Sequence, residues 1–147
     1  SVALAEDPSA PDWLFVQTAA TAEISSTTTL VVPFEQHVFA FTDRPYRQHA
    51  YLNATQFVSL WTDAGSDSFQ AEPPNAVLTW ADGGVVKEAE VELTDAKLTI
   101  NGTHIAYTTN WLTSRYNIPY GSALKSVSLF IDNNCLNPYA SCHNTGR

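Results

Sequence analysis

The sequence predicts an all-β domain: a mainly antiparallel β-sandwich or barrel of eight or nine short strands, with one short helix. Only 15% of the residues are charged, and 44% are hydrophobic. Threonine, serine, alanine and valine fill much of the remainder, a composition typical of β-rich proteins. Short apolar runs recur between turn-forming residues along the chain. A length of 147 residues is sufficient for one domain with its own core.

Three or four strands are predicted in the first part of the chain. Residues 13–17 form a first strand. Residues 22–32 are rich in threonine and β-branched residues and form either one long strand or a hairpin, which ends before a proline. Residues 36–42 form the next strand. It ends at Asp43-Arg44-Pro45, because proline has no N–H to offer a strand ladder.

Residues 53–62 are predicted as the helix. Asn53 or Thr55 can cap its first turn. Three apolar side chains recur with helical spacing on one face: Phe57, Leu60 and Trp61. A helix of about two turns is not stable alone, so tertiary packing must hold it.

The second half of the chain predicts hairpins. Residues 76–80 and 85–93 are joined through Asp82-Gly83-Gly84. Residues 96–100 and 104–108 flank Asn101-Gly102, the preferred dipeptide of a type I′ hairpin turn.

Two further segments complete the second half. Residues 109–123 are predicted to be irregular. Residues 125–132 form the final strand.

We divide the chain into a lead-in (residues 1–12), a single β-domain (13–132) and a C-terminal loop and tail (133–147). Ala3-Leu4-Ala5 matches the small-x-small end of a signal-peptide cleavage site, so the lead-in is either the remnant of a removed targeting peptide or a short disordered terminus. A disulfide between Cys135 and Cys142 would close the C-terminal loop and contribute roughly 2–3 kcal/mol.

Metal ligation is the alternative for these cysteines, because His143 follows Cys142. Two cysteines with one adjacent histidine form a poor zinc set, and the chain has no methionine for a blue-copper site. The disulfide is therefore preferred.

Two triplets have the form of N-glycosylation acceptors, at Asn53 and Asn101. Together with the cysteine pair they predict a secreted or extracytoplasmic protein, in the extracellular space, the periplasm or an organelle lumen. The net charge of −8 argues against nucleic acid and against anionic membrane surfaces as partners. No apolar run approaches the ~20 residues of a transmembrane helix.

Asp43, Arg44 and Arg47 are the leading candidate ligand-binding residues, together with His49 and Asn75. An arginine fork suits a carboxylate, sulfate or phosphate group. The structural alternative is that an arginine ties down its own loop, by bonding to backbone carbonyls or to Asp43.

Other site chemistry has little support in the sequence. His37 and His49 are weak metal candidates. The loop residues Asp63, Asp67 and Asp82 suit an occasional calcium ion, although the EF-hand spacing is absent. We predict no cofactor. No nucleophile elbow is present, and no catalytic residue is assigned. The chain has four Trp, six Tyr and seven Phe. Most of these rings should lie in the core, and an exposed set could form a carbohydrate platform.

Residues 41–47 have the pattern Phe-Thr/Ser-Asp-Arg-Pro-x-Arg, and a short helix and Pro-Pro-Asn-Ala at residues 73–76 follow them. In this pattern residues 38–78 resemble an uncharacterised family of small exported proteins from bacteria and marine phytoplankton. Residues 90–93 and 128–132 are similar too, so the resemblance extends over residues 38–132, roughly two thirds of the chain. It implies export and a compact domain, and it carries over no activity.

Three functions are compatible with these observations. The first is an extracytoplasmic protein that binds a small anion, a carbohydrate, a metal ion or a protein partner. The second is a hydrolase-type enzyme that uses Asp43, Arg44, Arg47 and His49. The third is a structural subunit of an extracellular or lumenal assembly. The sequence leaves the oligomeric state open.

Overall fold

Eight β-strands and one α-helix make up the part of the chain that the computed structural model describes, residues 12–62 and 68–132. The strands are β1 (Trp13–Ser26), β2 (Thr29–Pro33), β3 (Val38–Thr42), β4 (His49–Leu52), β5 (Asn75–Asp82), β6 (Val85–Thr99), β7 (His104–Ser114) and β8 (Ser122–Asp132). The helix, α1, spans Ala54–Thr62. The prediction of an all-β domain with one short helix is confirmed. The cleavage-site residues 1–5, the loop residues Asp63 and Asp67, and the Cys135–Cys142 pair lie outside the described residues.

Six of the strands close into a barrel, in the order β1-β2-β7-β6-β5-β8 and back to β1. Every pairing in it is antiparallel. The two remaining strands, β3 and β4, form a hairpin that extends the sheet from β1. Of the two predicted architectures, the structure is therefore the barrel.

Strand β1 has two different neighbours along one of its edges. Its second half pairs with β2, where Ile24 faces Leu30, and its first half pairs with β3, where Val16 faces Phe39. The other edge of β1 pairs with β8 from Leu14 to Ile24. The prediction of separate strands at residues 13–17 and 22–32 is wrong in one respect, because β1 continues between them.

A bend explains why this continuity is hard to predict. Ala20 and Thr21 are both exposed, so the inward–outward alternation of β1 slips there. Opposite them, Ser126 of β8 has a φ of 51°. The carboxylate oxygen Oε1 of Glu35 accepts a hydrogen bond from the N–H of Ala20 at 3.0 Å, which satisfies a backbone donor at the bend.

The two predicted hairpins are present. Gly83 and Gly84, both with positive φ, join β5 to β6 as predicted. Between β6 and β7 the turn begins one residue earlier than predicted. Ile100 and Asn101 have φ values of 52° and 57°, and the N–H of Gly102 closes the turn on the carbonyl of Thr99 at 3.1 Å. The prediction of an irregular segment from residue 109 is wrong, since β7 stays paired with β6 as far as Ser114.

The helix begins with the predicted cap. The side-chain oxygen of Asn53 accepts from the N–H of Gln56 at 2.7 Å, and the side chain of Gln56 accepts from the N–H of Asn53 at 2.9 Å. This reciprocal pair is a capping box. No helix in the described residues is long and apolar enough to cross a membrane.

Aromatic side chains of α1 fill the barrel end at which β1 and β5 begin. Phe57 and Trp61 are fully buried, and the Phe57 ring lies 5.7 Å from the ring of Phe15 in β1. Trp61 contacts Phe69 at 4.8 Å, and its indole N–H donates to the carbonyl of Leu93 at 2.9 Å. The helix is thus held by tertiary packing, as its length requires.

One polar pair lies inside the barrel. The hydroxyl of Tyr107 on β7 donates to the side-chain oxygen of Gln17 on β1, and both residues are buried. The ring of Tyr107 packs 5.9 Å from that of Trp61. Burial raises the pKa of Tyr107 well above its usual value, because the phenolate is disfavoured in a dry interior.

We expect Ile100→Asn to stabilise the domain by about 0.5–1 kcal/mol, because a β-branched residue disfavours positive φ whereas asparagine tolerates it. Ile100 is exposed, so little packing is lost. The matched control is Val86→Asn, an exposed position inside β6, which should destabilise because asparagine disfavours strands. Urea denaturation measures both. Loss of stability at both positions would contradict the argument.

We expect the free energy of unfolding to fall as the pH rises above about 10, since the folded protein retains the Tyr107 proton to a higher pH than the unfolded chain does. Tyr107→Phe should reduce this decline. At neutral pH the same substitution should lower the free energy of unfolding by about 1–3 kcal/mol, because Gln17 loses its buried partner. Denaturation at pH 7 and above pH 10 tests this, with Tyr116→Phe as the control that keeps the wild-type decline. An equally steep decline in Tyr107→Phe would refute the assignment.

Candidate functional site

Four of the five predicted ligand-binding residues lie on the β3–β4 hairpin. Asp43, Arg44 and Arg47 are in its loop, residues 43–47, and His49 is the first residue of β4. Thr42 closes the base of the loop: its N–H donates to the carbonyl of Gln48 at 2.9 Å, and its hydroxyl oxygen accepts from the Gln48 N–H at 2.8 Å. The loop therefore projects from a fixed base.

Asp43 organises the loop through the main chain. Its carbonyl accepts from the N–H groups of Tyr46 at 3.1 Å and Arg47 at 3.3 Å. Its carboxylate accepts from the N–H of Arg44 at 2.6 Å. The Arg44–Pro45 peptide bond is cis, and Arg47 has a φ of 51°. The Asp43 carboxylate is thus engaged with the backbone of the loop.

The guanidinium groups of Arg44 and Arg47 are exposed and make no hydrogen bond or ion pair within residues 12–62 and 68–132. Among those residues, then, neither arginine ties the loop down through backbone carbonyls or Asp43. The cation of Lys87 behaves differently. It pairs with Asp82 at 2.7 Å and thereby lowers the pKa of that carboxyl group.

Four aromatic rings cover the outer surface of the hairpin. Phe39 and Phe41 point outward from β3, and His49 and Tyr51 face them from β4. The ring of Phe39 lies 5.3 Å from that of Phe41 and 5.2 Å from that of Tyr51. Tyr51 is 63% exposed. We call these four residues the aromatic face. Its outer position was not predicted, because Val38 and Ala40 on the other side of β3 are also apolar and the pattern alone does not say which side is core.

Apolar side chains continue from the aromatic face onto the barrel wall. Leu14 and Val16 of β1 lie opposite Phe41 and Phe39. Phe130 of β8 lies opposite Val16 on the far edge of β1. All three are half-buried. The aromatic face therefore rests on an apolar flank, and the row from Tyr51 to Phe130 crosses four strands, about 14 Å at the usual strand spacing.

The remaining candidates lie away from the loop. Asn75 begins β5, four strands from His49 and so about 19 Å away across the sheet. His37 precedes β3, whereas His49 faces Phe41, four residues further along and about 13 Å away. The described residues contain no group of three or more histidine, cysteine or acidic side chains placed to hold a metal.

Comparisons with known proteins return no match: no family model fits the chain, and no curated protein and no solved structure is similar to it. The resemblance to small exported proteins therefore stays a prediction. Geometry alone defines the class: a six-stranded antiparallel β-barrel with an exposed hairpin that carries arginines and aromatic rings.

We expect Arg44→Ala to change the free energy of unfolding by less than about 0.5 kcal/mol, because the side chain is exposed and has no partner in the described residues. Arg47→Gly should stabilise by about 0.5–1 kcal/mol, since glycine adopts positive φ without a steric penalty. Thr42→Ala is the comparison variant. It should lower the free energy of unfolding by about 1–2 kcal/mol, because the Gln48 N–H loses its acceptor. A large loss in Arg44→Ala would instead assign that arginine to the fold.

Proposed function

We propose that this protein is an extracytoplasmic binding protein that holds an anionic ligand on the β3–β4 hairpin. Arg44 and Arg47 supply the cationic contacts, and the aromatic face supplies the apolar contacts. The observation that carries the proposal is the position of two exposed guanidinium groups, without a partner in residues 12–62 and 68–132, in the loop that adjoins the aromatic face.

The charge distribution supports an anionic ligand. The chain has seven Lys and Arg residues and a net charge of −8, yet two of the seven lie in one five-residue loop. Of the other cations in the described residues, Lys87 pairs with Asp82, Lys97 lies 4.0 Å from Asp95 and Arg115 lies over the ring of Tyr116. Lys125 is exposed. An acidic protein repels anions at long range, so recognition must depend on close contacts. The planar fork of arginine makes such contacts with carboxylate, sulfate and phosphate groups.

The aromatic face supports a ligand with an apolar surface as well as a charge. An exposed apolar patch with a polar rim is typical of a contact site. Phe39 and Phe41 contribute half-buried apolar rings, and the exposed His49 and Tyr51 add polar atoms beside them. The Asp43 carboxylate is occupied by the loop, which favours binding over the hydrolase alternative.

Two exposed asparagines support an extracytoplasmic location. Asn53 lies at the start of α1 and Asn101 lies at the tip of the β6–β7 hairpin. Both are in the glycosylation triplets, and both are at the surface, where such a modification requires its acceptor to be.

Titration with sulfate, phosphate and citrate at low ionic strength, followed by NMR or calorimetry, tests the proposal. We expect Arg44→Ala/Arg47→Ala to weaken binding at least about tenfold, since charge-assisted hydrogen bonds contribute about 1.5–3 kcal/mol each. The matched control, Lys97→Ala/Lys125→Ala, removes the same charge from exposed positions elsewhere and should change binding by less than about threefold. Equal losses in the two variants, or no binding by the wild type, would refute the proposal.

A further inference from the structure

We infer that the hairpin binds the C-terminal end of an extended peptide, which adds a strand to the free edge of β4 and places its terminal carboxylate at Arg44 and Arg47. This inference rests on the proposed function, because it specifies the anionic ligand of the same site. It depends on the main-chain groups along the edge of β4 that faces away from β3.

Strand β4 is the last strand of the sheet. In the part of the chain that the structure describes, it pairs with β3 and with no other strand. The N–H of Thr42 donates to the carbonyl of Gln48 at 2.9 Å, which makes these two residues a hydrogen-bonded pair of the antiparallel ladder. Bonded and non-bonded pairs alternate, so Ala50 also turns its main-chain groups toward β3, whereas His49 and Tyr51 turn theirs away.

The outward main-chain groups of His49 and Tyr51 are those that a peptide strand requires. Each residue offers one N–H and one carbonyl, and among the described residues no main-chain hydrogen bond reaches them from outside the hairpin. Alternate donors and acceptors along an edge match the main chain of an extended polypeptide, and strand addition is a common mode of peptide recognition. Strand β4 also lacks the lysine, proline or bulge that commonly protects a free edge.

The direction of β4 determines which end of the peptide meets the arginines. The strand begins at His49, next to the loop, and runs toward α1. An antiparallel peptide, which is the more stable arrangement per residue, therefore runs toward the loop and ends there. Arg47 precedes His49 by two residues, at most about 7 Å, so an arginine side chain reaches the C-terminal carboxylate. Parallel addition would instead bring the peptide's ammonium group to two like charges.

The strand edge and the arginines act together. Strand β4 has only four residues, so its edge alone binds a peptide weakly. Charge-assisted bonds to the arginines are stronger than bonds between neutral groups. Peptide side chains opposite His49 and Tyr51 lie on the same face as those rings, because directly paired residues share a face. The aromatic face thereby contacts one side of the peptide.

A second copy of the chain fits the same edge less well. In the two-fold pairing that uses all the outward main-chain groups, His49 lies opposite Tyr51 of the second copy, and Arg47 lies opposite Asn53, which caps α1. A cation is disfavoured beside a helix N-terminus. Each copy also has a net charge of −8, which opposes association. A short peptide with one terminal carboxylate meets neither penalty.

The experiment titrates the full chain with an acetylated hexapeptide of alternating threonine and valine that ends in a free carboxylate. We expect binding to slow hydrogen exchange of the His49 and Tyr51 amides at least about tenfold, measured by NMR, and to leave the exposed Val86 of β6 unchanged. Replacing the terminal carboxylate with an amide should weaken binding at least about tenfold, since the charge-assisted bonds are lost.

Methylation of alternate peptide nitrogens tests the strand geometry. One alternate set of nitrogens points at β4, and methylating it should weaken binding at least about tenfold. The other set points to solvent, and methylating it should change binding by less than about threefold. The two methylated peptides are isomers, so each is the control for the other.

A proline substitution tests the same contact on the protein. His49→Pro removes an outward N–H and no bond to β3, and proline is accepted at the first residue of an edge strand. His49→Ala removes the same ring and keeps the N–H. We expect His49→Pro to bind the hexapeptide at least about fivefold more weakly than His49→Ala. Melting temperatures show whether both variants fold, and the methylated peptides give the answer with the wild type if His49→Pro does not.

The outcomes separate this inference from the proposed function. If sulfate and citrate bind through the arginines but the hexapeptide protects neither amide, or both methylated peptides bind alike, the inference is overturned and the proposed function stands. Equal binding of the free acid and the amide overturns the role of the terminal carboxylate. If the hexapeptide binds Arg44→Ala/Arg47→Ala as tightly as the wild type, the proposed function fails in its cationic contacts. Protection of His49 and Tyr51 by self-association, without peptide, overturns the inference and assigns the edge to a second copy.

Discussion

The pairing of one edge of β1 with two successive strands is the constraint on which the rest of the structure depends. Strands β2 and β3 pair with the same edge of β1, one after the other, and residues 34–37 separate them. Glu35 and Gln36, in the interruption, bond to Ala20 and Thr18 of β1. Beyond this point β4, and not β7, occupies the other edge of β3. The β3–β4 hairpin therefore leaves the barrel wall and exposes its outer surface.

The departure of β3 leaves an opening, which α1 fills. The helix follows β4 directly, and its rings contact Phe15 on β1 and Tyr107 on β7. The inward positions of β3 carry the smaller side chains of Val38 and Ala40, which are buried. Because side chains alternate along a strand, Phe39 and Phe41 lie on the outer surface.

The distance along the chain between interacting residues explains what could be predicted from the sequence. The turn at Gly83 and the cap at Asn53 are local, so composition and spacing identify them. The N–H of Ala20, where the alternation of β1 slips, bonds to Glu35, fifteen residues away, and no local pattern contains that contact. The positions of Arg44 and Arg47 at a strand end were predictable from Pro45. The aromatic face beside them was not, because β3 is apolar on both sides and its pattern does not say which side is the core.

The separation between the residues that fold the hairpin and those that project from it supports a binding role. Thr42 and Asp43 fix the loop through main-chain bonds, and the arginine side chains take no part in them. Arg47 moreover adopts a left-handed conformation that costs about 1 kcal/mol relative to glycine. Two like charges near each other in one loop also repel, although solvent reduces the effect. Within the described residues the two arginine side chains make no hydrogen bond or ion pair that would stabilise the fold, so both charges are available to a ligand.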